Sequence, residues 1–190
     1  MPNAIALPEA AHRLAAADRV LVIGCSGGGK STLSVRIAES CGLEYQSLDR
    51  EVFWLPDWRL RDRAEQRRLI AELVRPGRWV MDGNNPSSFD LRVPRSDLIV
   101  WIRVPRWTAL AGVARRVLAN HGAVRVDMAD GCPERLPDLA FLTYIWTFER
   151  RMVPRIIAGI DLHGPDVPVV TISARSEFDA LLMETGRVAP

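Results

Sequence analysis

The chain has 190 residues, 48% of them hydrophobic and 25% charged, with a formal net charge of +2. That composition excludes a disordered polyelectrolyte, and the near-neutral balance supplies no argument for binding nucleic acid or a membrane surface. The length fits one domain over residues 1–190, able to bury a full core.

Taken in chain order, residues 1–19 (MPNAIALPEAAHRLAAADR) are too polar and broken for the apolar core of a signal peptide. Their AHRL stretch reads as a short helix leading into the first strand. Strand-like and helix-like runs then alternate, the pattern of a parallel sheet covered by helices. A continuous β-branched and Leu run at 19–24 predicts a strand buried on both faces. A helix is expected from Lys30 to about Cys41, with Leu33, Ile37 and Ala38 on one face and Gly42 at its end. Further strands are expected at 44–48, 78–82, 97–104 and 167–172. Further helices are expected at 62–75, which is polar and exposed, from Pro105 to about Asn120, and at 176–184. Residues 138–157 also read as helix, kinked or ended at Pro154. Residues 121–137 are rich in Gly, Pro and charge, lack periodicity, and read as a loop or lid. No apolar run approaches the roughly 20 residues needed to span a bilayer. The three cysteines, Cys25, Cys41 and Cys132, are widely spaced, which suits reduced thiols and a cytoplasmic setting.

The stretch VLVIGCSGGGKSTL contains the pattern G-x-x-x-x-G-K-[ST] at 24–31, between a buried strand and a helix. Glycines let successive backbone N–H groups face an anion, and the helix N-terminus adds its positive dipole end. The expected phosphate-binding positions are Gly24, Ser26, Gly27, Gly28, Gly29, Lys30, Ser31 and Thr32. Ser31 offers a hydroxyl to Mg²⁺, and Lys30 an ammonium to the β- and γ-phosphates of ATP. Lys30 is the only Lys beside 24 Arg. A planar guanidinium wants bidentate, in-plane partners and does not replace a compact ammonium in a narrow loop. Cys25, near the same helix N-terminus, either has its thiol pKa lowered there or simply fills a non-glycine position of the loop, the reading preferred.

Such a loop needs a carboxylate on a neighbouring strand for the metal. Asp82 ends the apolar run WVM at the sheet's C-terminal edge, where open α/β sheets bind ligands, and Asp49 ends the second strand in the same way. Asp82 is assigned to the metal and Asp49 to orienting or deprotonating an acceptor, with the exchanged assignment left open. Residues 49–75 and 84–95 are expected to build the acceptor pocket. Trp54 and Trp58 either line it or pack.

Residues 24–32, LD at 48–49, VMDGN at 80–84 and TISAR at 171–175 resemble the adenylate-kinase-like P-loop kinases. More narrowly, LDREVFWLPDW (48–58), WVMDGN (79–84), PRW (105–107) and RVDMADGCPE (125–134) resemble the bacterial group known as DNA topology modulation proteins. The resemblance implies a three-layer α/β/α fold with a five-stranded parallel sheet in the order 2-3-1-4-5. It also implies a small helical lid near 121–137, ATP as donor, and transfer to a small-molecule acceptor. Arg116 matches the arginine before the lid that contacts nucleotide phosphates, and Ser173 to Arg175 the adenine-stacking loop. Arg151 and Arg155, four apart beyond the lid, share a helix face, and Arg151 is taken as a further clamp on the transferred group. The chain departs from the adenylate kinase pattern after Asp82-Gly83, because the arginine that grips an acceptor phosphate is missing and the next is Arg92. The lid also lacks paired cysteines, so no structural zinc is expected. The group's name raises an alternative, a regulatory ATP-binding protein acting on DNA. No stripe of basic residues supports it.

Overall fold

The buried apolar runs pair edge to edge in the computed structural model, which describes residues 2–188. In chain order the strands are β1 (Asn3–Ala4), β2 (Arg19–Gly24), β3 (Glu44–Ser47), β4 (Trp54–Leu55), β5 (Arg59–Leu60), β6 (Trp79–Asp82), β7 (Leu98–Ile102) and β8 (Pro168–Ile172). The short β4 and β5 form a separate antiparallel hairpin, and the other six make one parallel sheet in the order β1-β8-β7-β2-β6-β3. Leaving β1 aside, this is the expected 2-3-1-4-5 arrangement. The sixth strand is an addition: two residues that pair Asn3 with Pro168, too short to carry any periodicity.

The helices are α1 (Leu7–Ala16), α2 (Lys30–Cys41), α3 (Arg63–Leu73), α4 (Phe89–Arg92), α5 (Arg106–Asn120), α6 (Leu139–Arg151), α7 (Val153–His163) and α8 (Arg175–Val188). α6 and α7 part at Met152, just before Pro154, whose missing N–H interrupts the helical ladder. Central β2 carries Val20, Leu21, Val22 and Ile23 without exposure, and they join Val113, Ile145, Phe148, Ile156 and Ile160 of the helices in one core. Among the described residues no helix is long and apolar enough to cross a membrane.

The expected helical lid is not helical. Residues 121–137 run as turns, with Gly122 (φ +78°) and Gly131 (φ +74°) in left-handed conformations and Pro133 and Pro137 in the second half. Some of their backbone carbonyls are met from outside: Gly131 O accepts from Asp57 N at 3.0 Å, and Asp127 O accepts from Ser47 Oγ at 2.8 Å. Met128, Ala129 and Cys132 form a small second core against Trp54 and Trp58.

Candidate active site

The glycine-rich loop at 24–31 is shaped by backbone packed against backbone. β2 ends at Gly24, and the loop returns over α5 through Gly27 (φ +80°). A Cβ on Gly27 would lie 2.1 Å from Ala109 O, and one on Gly112 of α5 would lie 2.1 Å from Gly27 O. Only paired glycines allow that approach. Gly29 (φ +98°) then caps α2, so that the helix N-terminus opens on the loop. Lys30 donates from Nζ to Cys25 O at 3.3 Å. An ammonium has three donors, and this contact uses one.

Two of the expected phosphate-binding amides are engaged elsewhere. Gly28 N donates to Cys25 O at 3.2 Å, and Gly24 N donates to Asn84 Oδ1 at 2.8 Å. Gly24 and Gly28 therefore form the turn, whereas Ser26, Gly27, Gly29, Lys30, Ser31 and Thr32 line the adjoining cleft. The Cys25 thiol pKa is not lowered. The thiol is buried, and loss of solvation pushes its pKa up to about 11, more than Lys30 and the loop lower it.

β6 delivers Asp82 to the loop, as read from the sequence. The carboxylate is 3% exposed, accepts from Tyr45 Oη at 3.0 Å, and meets the Ser31 hydroxyl. Burial raises its pKa to about 6, opposed by the Lys30 charge. Asp49 begins a single π-helical turn (Asp49–Phe53), a distortion common at functional sites. Its carboxylate opens to water inside the cleft and accepts from Trp54 Nε1 at 3.2 Å. Enclosure by protein raises its pKa, with Lys30 again opposing.

Two hollows meet at these groups. The first, about 530 Å³, holds the loop residues together with Asp82, Arg115, Arg116, Arg125 and Arg175. The second, about 520 Å³, is lined by Phe53, Trp54, Arg63, Gln66, Asn84 and Tyr144, with others from the two segments expected to build an acceptor pocket. Ser26, Lys30 and Asp49 line both. Trp54 and Trp58 do both things considered for them, stacking edge to face at 5.4 Å under the lid while Trp54 walls the second hollow.

The structure does not bring Arg151 or Ser173 to this place. Arg151 lines a separate groove on α6 and α7 with Thr147, Met152 and Arg155, because α6 turns Ile145 and Phe148 into the core. Ser173 lines another hollow beside Trp107 and Trp146, and its N–H donates to Glu177 Oε2 at 2.7 Å.

Two residues that hold the site were missed in the sequence. Asn84 clamps Gly24 from both sides, accepting from its N–H and donating to its carbonyl at 2.6 Å, and it also donates to Tyr144 Oη at 3.2 Å. Arg92 is fully buried and donates to the carbonyls of Gly83, Asn84 and Asn85. It is a backbone strut under the second hollow. Burial lowers its pKa to about 9. The only signal in the sequence was the NN pair after Asp82-Gly83.

No family model matches the chain, and no curated protein does. Solved structures do. Shikimate kinase from Bacteroides thetaiotaomicron is 15% identical, with 90% of this chain and 98% of that one covered and a TM-score of 0.53. Shikimate kinase from Acinetobacter baumannii, in complex with shikimate, is 13% identical, with 91% and 93% covered and a TM-score of 0.56. At such identities the likeness is one of fold, and the fold of this chain is that of the P-loop kinases.

Proposed function

We propose that the protein is an ATP-dependent phosphotransferase, moving the γ-phosphoryl group of Mg-ATP to a small-molecule acceptor held in the second hollow. The observation that carries this reading is the junction of two clefts at Ser26, Lys30 and Asp49. A donor and an acceptor in line need such a meeting point.

The residues fit the absent groups. Ser26, Gly27 and Gly29 to Thr32 line an open cleft at the N-terminus of α2, and the Lys30 ammonium keeps donors to spare. Ser31 and Asp82 are hard oxygen ligands suited to Mg²⁺, and Asp82 with a pKa of about 6 is mostly ionised at pH 7. When bound, Mg-ATP supplies the phosphoryl group and the cation that neutralises its charge. Ser26, Gly27, Gly29 and Thr32 orient the phosphates through the loop, and Lys30, Arg116 and Arg175 add cationic charge around them. Asp49 takes the proton of an acceptor hydroxyl, a role that suits a carboxylate whose pKa is raised. Arg63, Gln66 and Trp54 face the acceptor. The stretches that resemble the DNA topology modulation group, residues 125–134 of the lid among them, agree with this reading and name no acceptor.

An acceptor screen reading ADP formation tests the proposal. At least one hydroxyl or phosphate compound is expected to raise turnover above hydrolysis by water. A broad panel in which none does would leave a nucleotide hydrolase at most.

A further inference from the structure

The stretch RVDMADGCPE at 125–134 begins with an arginine and ends with a glutamate, and the fold gives both a place. Glu134 is only 4% exposed. Its backbone closes the neck of the lid, since Gly122 N donates to Glu134 O at 2.9 Å and Glu134 N to Ala123 O at 2.8 Å. With the main chain pinned, the carboxylate reaches two arginines at once. Oε1 accepts from Arg116 Nε at 3.1 Å, and Oε2 lies 3.2 Å from Arg125 Nε, which is also 3.4 Å from Asp127 Oδ1. Both arginines line the loop cleft with Lys30 and Ser31; Glu134 lies behind them, in a hollow of about 230 Å³.

The grip is at Nε. A carboxylate standing in for a bound phosphate would take two N–H groups of one guanidinium in parallel. Here the terminal Nη groups of both arginines make no hydrogen bond among the described residues. The Arg125 Nε and Glu134 Oε2 atoms, both buried, are opposite in charge and lack hydrogen-bond alignment. Two guanidinium groups this close repel, and without a buried anion between them they would separate.

We propose that Glu134 is a positioning residue, holding Arg116 and Arg125 by their Nε atoms so that their free ends present a two-arginine clamp to the phosphates of the nucleotide. This rests on the reading of the loop cleft as a triphosphate site. Lid docking and phosphate binding are thereby joined in one carboxylate, because Glu134 also closes the lid's neck.

The test is calorimetric titration of Mg-ATP into the wild type, Glu134→Gln, the double variant Arg116→Gln/Arg125→Gln, and the triple variant, with melting temperatures recorded for each. Misplacing the clamp is expected to weaken Mg-ATP by about tenfold to a hundredfold in Glu134→Gln. Adding Glu134→Gln to the double variant is expected to change Mg-ATP affinity by less than about twofold, since the residue acts through the arginines. A purely structural role would lower affinity in both backgrounds alike and overturn the proposal, as would unchanged or tighter binding in Glu134→Gln. If Glu134→Gln does not fold, Glu134→Asp keeps the charge and shortens the reach. It must weaken Mg-ATP while the melting temperature holds, and unchanged affinity overturns the proposal. A wild type that binds no Mg-ATP would sink the nucleotide reading itself, a result distinct from the loss of this one.

Discussion

The glycine-rich loop and the lid face each other across one cleft and are built in different ways. The loop is backbone: glycines at 27 and 112 interlock within carbonyl contact, and one side chain, Lys30, supplies the charge. The lid leans on side chains: a small aromatic and sulfur cluster docks its tip, and an Arg–Glu–Arg arrangement backs the two main-chain bonds that close its neck. A backbone device is set by conformation and fails sharply when a methyl group intrudes. A side-chain device is a sum of modest contacts and loosens by degrees.

Gly27→Ala is the severest way to test that contrast. A Cβ 2.1 Å from Ala109 O, on a residue at φ +80°, is expected to cost about 2–4 kcal/mol of stability by chemical denaturation and to close the loop to anions. Stability and binding equal to wild type would mean that the loop is not set by this contact.

Next is Asp82→Asn. Burial raises the folded-state pKa from its ordinary 3.8 to about 6, so between those values the folded protein holds a proton that the unfolded chain releases. Metal-free stability attributable to Asp82 therefore falls as pH rises through that window and stays lower above it. Asp82→Asn removes the penalty and is expected to be more stable than wild type at pH 7.5 without magnesium, by about 2 kcal/mol, while losing magnesium-dependent nucleotide binding. In the wild type, that binding is expected to decline below about pH 6 as the carboxylate takes its proton. A variant that is less stable at pH 7.5 and still binds magnesium normally would reverse the assignment.

The mildest change is on the lid. Trp58 stacks on Trp54 and donates from Nε1 to Pro133 O at 3.0 Å. Trp58→Ala is expected to speed hydrogen exchange across 121–134 with a global stability change of only about 1 kcal/mol. A large drop in global stability would show that the lid is part of the main core.

The same contrast explains how much could be read in advance. The loop announces itself in eight consecutive residues, and Asp82 in an apolar run that ends on a carboxylate. Both are local patterns tied to one strand and one turn. Asn84 stood in a noticed stretch with no role assigned to it, since its meaning lies in Gly24, 60 residues away. Glu134 read as one more charge in a polar loop, because its partner Arg116 sits on another element. Arg151 and Arg155 were expected on one helix face, but the break at Met152 puts Arg151 at the end of α6 and Arg155 in α7, and the packing of the two helices sends both to a different groove. Spacing fixes which residues travel together, and tertiary packing decides where they arrive. The lid was given a helix by resemblance, and its glycines at positive φ and its prolines refused one.

Titration of Mg-ATP into the wild type and Lys30→Ala, monitored by calorimetry, addresses the central claim most directly. Saturable heat is expected in the wild type, and a loss of about two to three orders of magnitude in affinity for Lys30→Ala at unchanged melting temperature. Equal affinity in the two proteins, or no heat in folded wild type, would contradict it.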